Sequence, residues 1–296
     1  MRIALQVEYN GASFCGWQSQ PSGQSVQDTL ERALSGIASA PVSTLCAGRT
    51  DAGVHALMQV VHFDTDSERP DQAWVRGANA LLPDTIAVVA ATRVPDRFHA
   101  RFDAIERCYR YLLVSDPVRP ALLAGRVGWH HETVALAPMQ EALGALIGEH
   151  DFSAFRAAEC QAKSPVRQIR RATVEQSGSL FTFEFCADGF LHHMIRNIVG
   201  SLLRIGRGRE PAGWLGTLLA GRDRTRAAAT FSASGLYLAE VRYDPRLQLA
   251  LPGPRIAQFA PAVFQPAPRP ATLAANLPAN LPADPSSVPG ACQVAR

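Results

Sequence analysis

Residues 46–56 read CAGRTDAGVHA, a stretch in which charged and polar residues replace the apolar run of an ordinary buried strand. Arg49 and Asp51 stand two residues apart, and Gly48 and Gly53 flank them. If this segment is extended, both charged side chains point the same way, because side chains alternate along a strand. The glycines allow a sharp turn or the close approach of a ligand. An Asp beside Gly is commonly a turn residue, but the concentration of polar groups makes Asp51 a candidate for chemistry.

On both sides of this stretch, the spacing of apolar residues predicts a regular succession of strands and helices. The predicted strands cover residues 2–9, 58–65, 85–94, 107–114, 167–176, 180–187 and 235–243. The predicted helices cover residues 26–37, 71–82, 138–150, 192–206 and 212–221. Strand–helix–strand order therefore occurs twice, in residues 1–105 and in residues 106–250. We predict an α+β fold with mostly antiparallel strands, in which two similar halves share one sheet.

The end of the chain has a different composition. Ten of the 21 prolines lie beyond residue 251, among Ala, Asn and Ser. Such a segment buries too little apolar surface to offset the entropy of an ordered chain. We therefore expect residues 251–296 to form a disordered Pro/Ala-rich tail without a chemical role.

The cysteine spacing and the hydropathy of the sequence indicate where in the cell the protein is located. Six cysteines include no C-x-x-C pair, which favours a reducing cytoplasm, thiols that pack as small apolar groups, and no structural zinc. No apolar run reaches the length of a membrane span, and the first residues resemble a strand and lack the apolar core of a signal peptide. We expect a cytoplasmic protein without a membrane partner.

Basic and aromatic residues interleave in residues 97–111, although the net charge of +3 does not itself argue for a nucleic-acid partner. A strand with Arg107 and Tyr109 on one face suits stacking on bases and contact with phosphates. A solvated strand face explains the same pattern equally well. Further arginine clusters on a nearly neutral chain favour a structured RNA over a small substrate.

The segment 192–206, HHMIRNIVGSLLRIG, predicts a strong amphipathic helix. His192 and His193 stand at its start, and Arg196 follows one turn after His192. A zinc site needs further ligands at suitable spacing, and the sequence offers none there. We therefore expect no metal ion.

Taken together, these segments resemble the tRNA pseudouridine synthase A (TruA) family from residue 1 to about residue 245. The matching pieces are FCGWQ (14–18), AGRTDAGVHA (47–56), NALLPDTIAV (79–88), FHARFDA (98–104), YRY (109–111), FLHHMIRNIVGSLLRIG (190–206) and GLYL (235–238). One departure is TFSASGLYL (230–238), where relatives more often have Thr-Ala-Pro before the Gly-Leu pair.

The resemblance implies a fold and a reaction. The fold has two similar ferredoxin-like α/β halves that share a mostly antiparallel central sheet, with a cleft between them. The reaction isomerises uridine to pseudouridine at positions 38, 39 and 40 in the anticodon stem-loop of tRNA. The N1–C1′ bond breaks, the uracil rotates while held, and C5 bonds to C1′. The resemblance also implies a homodimer that needs no cofactor and no metal.

The resemblance assigns three catalytic residues. Asp51 matches the catalytic aspartate, whose carboxylate either attacks C1′ of the sugar or takes a proton from C2′. Tyr109 matches the active-site tyrosine, which lies against the base, binds the substrate and is a candidate for helping to move the C5 proton. Arg196 matches the arginine that pairs with the aspartate, which suits a cleft carboxylate that must stay ionised.

The resemblance also implies substrate contacts beside the catalytic residues. Arg49 matches the arginine that fills the space left by the flipped nucleotide. Thr50, His55 and His193 lie within or beside the same motifs, and we expect them to bind the substrate.

Two other kinds of protein are compatible with parts of this pattern. A catalytically inactive RNA-binding protein would keep the arginines without needing Asp51, Tyr109 and Arg196, all of which are present. A glycoside hydrolase that uses Asp51 would need a second carboxylate across its cleft. The matching motifs place no second Asp or Glu there, so both alternatives are less favoured.

Overall fold

The computed structural model describes residues 1–254. Its strands are β1 (Arg2–Tyr9), β2 (Leu45–Cys46), β3 (His55–Asp64), β4 (Ile86–Val94), β5 (Ala104–Ser115), β6 (Gly128–His130), β7 (Gly148–Asp151), β8 (Val166–Ser177), β9 (Leu180–Ala187) and β10 (Leu236–Tyr243). Its α-helices are α1 (Val26–Ala38), α2 (Asp71–Leu81), α3 (Leu136–Leu143), α4 (Met194–Gly206) and α5 (Trp214–Gly221). The predicted α+β class is confirmed. Within the described part of the chain, no helix is long and apolar enough to cross a membrane.

The ten strands form one sheet with the order β4-β1-β3-β10-β5-β9-β8-β7, in which β2 also pairs with β3 and β6 with β5. Each pairing is antiparallel, except that β10 runs parallel to β3 and β6 runs parallel to β5. The expectation of a mostly antiparallel sheet is therefore confirmed. β10 lies between β3 and β5, so the last described strand joins strands from the first part of the chain to strands from the second. The division into two similar halves stays a prediction.

Helix α1 begins where its capping residues predict. The Ser25 hydroxyl accepts a hydrogen bond from the Asp28 backbone N–H at 3.0 Å, and the Asp28 carboxylate accepts one from the Ser25 N–H at 3.4 Å. This reciprocal pair is a capping box. The Gln27 N–H donates to the Trp17 carbonyl at 3.0 Å, which fastens the preceding loop to the start of the helix.

Helix α4 begins two residues later than predicted, because His193 has a left-handed backbone conformation with φ of 62°. Eleven of its 13 residues are buried, so it runs through the core and does not lie on the surface. Arg196 lies in its first turn. The helix therefore gives the Arg196 side chain a rigid base.

The helix predicted over residues 138–150 is wrong at both ends. Helix α3 covers Leu136–Leu143, a short 3₁₀ turn follows, and residues 148–151 form strand β7. Gly148 has φ of 106°, which no helical residue adopts. Pairing of β7 with β8 therefore prevails over the apparent helical spacing in this segment.

Cys108 on β5 and Cys186 on β9 lie directly opposite each other and form a disulfide. Both residues are buried. The expectation of free thiols that pack as small apolar groups is wrong for this pair. Their pairing was not predicted, because 78 residues separate them and only the register of two strands brings them together. The other described cysteines, at 15, 46 and 160, are free.

The chain stays packed on the sheet for several residues after β10. Leu249 and Leu251 pack against the core. The buried Gln6 side chain donates to the Gly253 carbonyl at 2.6 Å and accepts from the Gly253 N–H at 3.2 Å. The start of the predicted tail therefore lies against β1, and residues 255–296 of that tail lie outside the described residues.

Candidate active site

A cavity of about 1480 Å³ opens between the 46–54 loop, strand β5 and the start of helix α4. It is larger than the roughly 300–1,000 Å³ typical of small-molecule pockets, so it suits part of a macromolecular substrate. Residues of the 46–56 motif and of the 190–206 motif line this cavity together, although more than a hundred residues separate the two motifs in the sequence. The lining includes Arg49, Asp51, Tyr109, His193 and Arg196.

The loop that carries Asp51 is held by backbone contacts with neighbouring segments. Bends at residues 47–48 and a turn at residues 52–53 flank residues 49–51. The Trp17 N–H donates to the Thr50 carbonyl at 2.9 Å, and the Val54 N–H donates to the Asp51 carbonyl at 3.1 Å. A Cβ atom at Gly16, where φ is 94°, would lie 2.9 Å from the Thr50 carbonyl oxygen. Glycine at this position therefore allows the close approach that fixes the loop.

Asp51 forms an ion pair with Arg196. The Arg196 Nη1 donates to Asp51 Oδ2 at 3.0 Å, and its Nε donates to the Phe231 carbonyl at 2.9 Å. The side chains are 20% and 15% exposed, so the carboxylate still faces the cavity. The second contact holds the guanidinium in one orientation, which makes the pair a fixed element of the site.

Two histidines complete the surroundings of the Asp51 carboxylate. The Nε2 atoms of His192 and His193 lie 3.4 Å from Oδ1 and Oδ2, respectively. Burial lowers the pKa of His193, and the nearby Asp51 carboxylate opposes that shift. His193 is therefore neutral at pH 7. The sequence pattern placed His193 in the site but gave His192 no role, although both stand in the same motif.

Tyr109 projects from β5 into the cavity, where it is almost fully buried. Its ring packs edge-on against Phe190 with 5.1 Å between centroids. Burial raises the pKa of the Tyr109 phenol, and the negative charge of Asp51 raises it further. The hydroxyl is therefore protonated at neutral pH and available as a hydrogen-bond donor.

Arg49 is exposed at the cavity and forms no hydrogen bond or ion pair with any other described residue. An arginine that stabilises a fold normally has such partners. Its guanidinium is therefore free to meet a ligand.

Thr50 and His55 use their polar atoms within the protein. The buried Thr50 hydroxyl shares a 2.8 Å hydrogen bond with the Tyr9 hydroxyl. His55 Nδ1 accepts from the Gly11 N–H at 3.1 Å, and its Nε2 lies 3.1 Å from the Ser234 carbonyl. Thr50 still lines the cavity, whereas His55 does not. The structure therefore brings together all the predicted site residues except His55.

Arg107 supports the site in a way that the sequence did not reveal. Its guanidinium donates to the backbone carbonyls of Ala47 at 3.0 Å, Ala104 at 2.9 Å and Asp188 at 2.9 Å. These bonds join the Asp51 loop to β5 and to the end of β9. Arg107 is half-buried and lines the cavity, so a fully solvated strand face does not describe it, and its contact with a phosphate stays a prediction.

One group of side chains in the site could hold a metal ion. The donor atoms of Asp51, His192 and His193 all lie within 4.8 Å of one another. Oxygen and imidazole nitrogen are ordinary ligands of zinc and similar ions. Arg196 competes for the same carboxylate, since it already bonds to one of its oxygens. The expectation that the protein needs no metal stays a prediction.

The sequence matches the family model described as tRNA pseudouridine synthase over residues 5–103 and 142–244. The chain belongs to the tRNA pseudouridine synthase family.

Relatives named tRNA pseudouridine synthase A are similar over most of their length. The protein from Thiobacillus denitrificans is 58% identical over 249 residues, which are 84% of this chain and 96% of the relative. The protein from Nitrosomonas eutropha is 59% identical over 249 residues, or 84% and 90% of the two chains. The protein from Burkholderia ambifaria is 58% identical over 243 residues, or 82% and 90%.

A solved structure, the crystal structure of a Cbf5-Nop10-Gar1 complex, aligns with 80% of this chain and 48% of its own chain. Its TM-score of 0.32 and identity of 12% are too low to carry an argument.

Family membership confirms the activity that the resemblance implies. The chain is an isomerase that converts uridine to pseudouridine in tRNA. The roles of individual residues, the positions modified, the dimer and the cellular compartment stay predictions.

Proposed function

We propose that Asp51 is the catalytic carboxylate and that the enzyme modifies uridines 38, 39 and 40 in the anticodon stem-loop of tRNA. In this proposal the enzyme acts in the cytoplasm as a homodimer and needs neither a metal nor a cofactor. One observation carries the assignment of the site: the Asp51 carboxylate faces a large cavity while it is ion-paired with Arg196 and lies near the buried Tyr109.

The proposed chemistry is an isomerisation that conserves atoms. The N1–C1′ bond breaks, the base rotates, and a bond forms between C5 and C1′. The hydrogen on C5 is lost to solvent, and N1 takes up a proton. Asp51 either attacks C1′ or removes a proton from C2′. Both routes need the carboxylate in its charged form, and Arg196 offsets that charge at 3.0 Å.

Tyr109 has a protonated hydroxyl, which supports a role as a hydrogen-bond donor and packing surface for the base. It cannot accept the C5 proton as a phenolate at neutral pH, because burial raises the pKa of its phenol. His193 is a better candidate for handling protons near Asp51, since its imidazole is neutral at pH 7 and its Nε2 lies 3.4 Å from the carboxylate.

The remaining predicted substrate contacts divide into two groups. The exposed and unpaired Arg49 supports the role of filling the gap left by the flipped nucleotide. Thr50 and His55 already bond to Tyr9, to the Gly11 N–H and to the Ser234 carbonyl. These contacts support the role of holding the loop in position, and not a direct contact with RNA.

Tritium release tests this proposal directly. Purified protein, without added metal or nucleotide, is incubated with tRNA transcripts labelled with tritium at uracil C5. We expect release from the wild-type protein and from Arg32→Ala, which changes an exposed arginine on α1 outside the cavity. We expect none from Asp51→Asn, which should still bind tRNA. Mapping pseudouridine in the products then identifies the positions. Turnover by Asp51→Asn, or modification outside positions 38–40, would contradict the proposal.

Sedimentation of the full chain at several concentrations tests the homodimer. We expect a single species of about twice the monomer mass of 31.9 kDa. A monomer that retains full activity would contradict that part of the proposal and leave the assignment of Asp51 unchanged.

A further inference from the structure

An aromatic side chain stands exposed at the edge of the cavity. Phe102 lies in the turn between β4 and β5, lines the cavity, and is 76% exposed. Most phenylalanines in the described part of the chain are buried, and those of β9 lie deep in the core. A planar apolar ring left open beside a polar cavity is available to be covered by a flat ligand.

The turn that carries Phe102 is well ordered by hydrogen bonds to His99. The backbone N–H groups of Arg101 and Phe102 both donate to His99 Nδ1, at 3.1 and 3.3 Å. The His99 N–H donates to the Asp103 carboxylate at 2.8 Å. The His99 ring packs against one side of the Phe102 ring, with 4.2 Å between centroids. Phe102 is thus supported by the His99 ring while 76% of the residue stays exposed.

The same turn is tied to the loop that carries Asp51. The Arg107 guanidinium donates to the carbonyl of Arg101 and also to the carbonyl of Ala47 at 3.0 Å. The open ring is therefore held at a fixed place relative to the proposed catalytic carboxylate. A mobile ring would lose more entropy when a ligand covered it.

Positive charge adjoins the ring. The Arg101 guanidinium lies 5.8 Å from the centre of the Phe102 ring and is exposed. Arg49 is exposed in the same cavity, without a polar partner among residues 1–254. An exposed aromatic ring beside exposed arginines is the combination that binds single-stranded nucleic acid, where bases stack and phosphates meet the cations.

We propose that Phe102 is a stacking platform for an unpaired base of the RNA next to the target uridine. This inference rests on the proposed function, because extraction of the target leaves its neighbours without their stacking partner. Stacking on an aromatic ring tolerates any base, so Phe102 would hold the RNA in place without reading its sequence.

Photocrosslinking identifies the partner of the ring. Anticodon stem-loop RNAs carry 5-iodouridine at one loop position beside the target and are irradiated in complex with the full chain. We expect a crosslinked peptide that contains Phe102 in the wild-type protein and its loss in Phe102→Leu. Crosslinks confined to other residues would overturn the proposal.

Kinetics of matched variants provide the second test. We expect Phe102→Ala and Phe102→Leu to raise the KM for tRNA by about 5- to 150-fold with kcat little changed. Phe102→Trp should keep a KM near that of the wild type, as should Leu122→Ala, which removes a 96% exposed side chain outside the cavity. A Leu variant with the wild-type KM would show that the ring does not bind RNA and favour a docking site for another protein.

The two proposals fail in distinguishable ways. If the wild-type protein forms pseudouridine and Phe102→Leu behaves identically, only the stacking platform is wrong. If crosslinks to Phe102 form but Asp51→Asn still turns over, the platform stands and the catalytic assignment is wrong.

Discussion

Asp51 and Arg196 stand 145 positions apart in the sequence, and their side chains meet at 3.0 Å. The contact joins a bent loop to the first turn of a buried helix. Arg196 also binds the Phe231 carbonyl through its side chain, and its own carbonyl accepts from the Phe231 N–H at 3.2 Å. The arginine therefore orients the carboxylate while it is itself held from a third segment.

Replacing Arg196 should lower catalysis more than tRNA binding. Hydrogen bonds to charged groups contribute about 1.5–3 kcal/mol, so Arg196→Ala should reduce the single-turnover rate by roughly 10- to 150-fold. Arg196→Lys keeps the charge but cannot bond to both Asp51 and Phe231 in the same way, and we expect an intermediate rate. Rates are measured with saturating enzyme, and tRNA affinity by filter binding. Equal losses of rate and affinity would show that Arg196 acts on binding.

Arg49→Ala should slow the reaction with almost no effect on stability. The side chain is exposed and without partners among the described residues, and such substitutions change the free energy of unfolding by about 0.5 kcal/mol or less. The expected change in melting temperature is therefore about 1–2 °C. Arg32→Ala on α1 provides the matched control, with unchanged rate and stability. A large drop in melting temperature for Arg49→Ala alone would show that Arg49 is structural.

Local patterns predict much of this fold because local interactions determine those parts. The capping box of Ser25 and Asp28 fixes the start of α1, and the β8–β9 hairpin follows from two adjacent strand patterns. The end of α3 could not be predicted in this way. There the left-handed Gly148 and pairing with β8 outweigh the helical spacing of the apolar residues.

The candidate site shows the same limit more clearly. Motif resemblance names Asp51 and Arg196, but their contact depends on the placement of β10 between β3 and β5. Arg107 looks like a surface cation in the sequence, yet it binds backbone carbonyls of three segments. His55 stands in the strongest motif and lies outside the cavity, because both its ring nitrogens have partners within the protein. Such roles arise from tertiary contacts.

Gly200→Ala in α4 should destabilise the protein, although alanine favours a helix. A Cβ atom at this position would lie 2.4 Å from the Ala229 carbonyl oxygen, so helix and loop would have to separate. We expect a loss of about 1–3 kcal/mol in the free energy of unfolding. Gly216→Ala in α5 is the matched control, because its nearest neighbour would be the Ala145 Cβ at 3.6 Å.

The control should gain up to about 1 kcal/mol from helix propensity. Urea unfolding at pH 7 measures both variants. If both substitutions stabilise the protein, α4 and the Ala229 backbone can move apart at little cost in free energy.

His62 should make the protein less stable in mild acid. Burial lowers its pKa from the ordinary 6.5 to about 4, and the positive charges of Arg2 and His99 act in the same direction. The unfolded chain therefore binds a proton near pH 6.5, whereas the folded protein does so only near pH 4. Between these values the unfolded state binds more protons, so stability falls as the pH falls.

The stability lost through His62 between pH 6.5 and 5 should be about 1.6 kcal/mol. His62→Asn keeps an acceptor for the Ala100 N–H, which His62 Nδ1 binds at 3.1 Å, and removes the titration. Urea unfolding at the two pH values should show a weaker pH dependence in this variant than in the wild type. If His62→Asn and the wild type lose the same stability, other groups account for the acid sensitivity and the folded protein accommodates a charged His62.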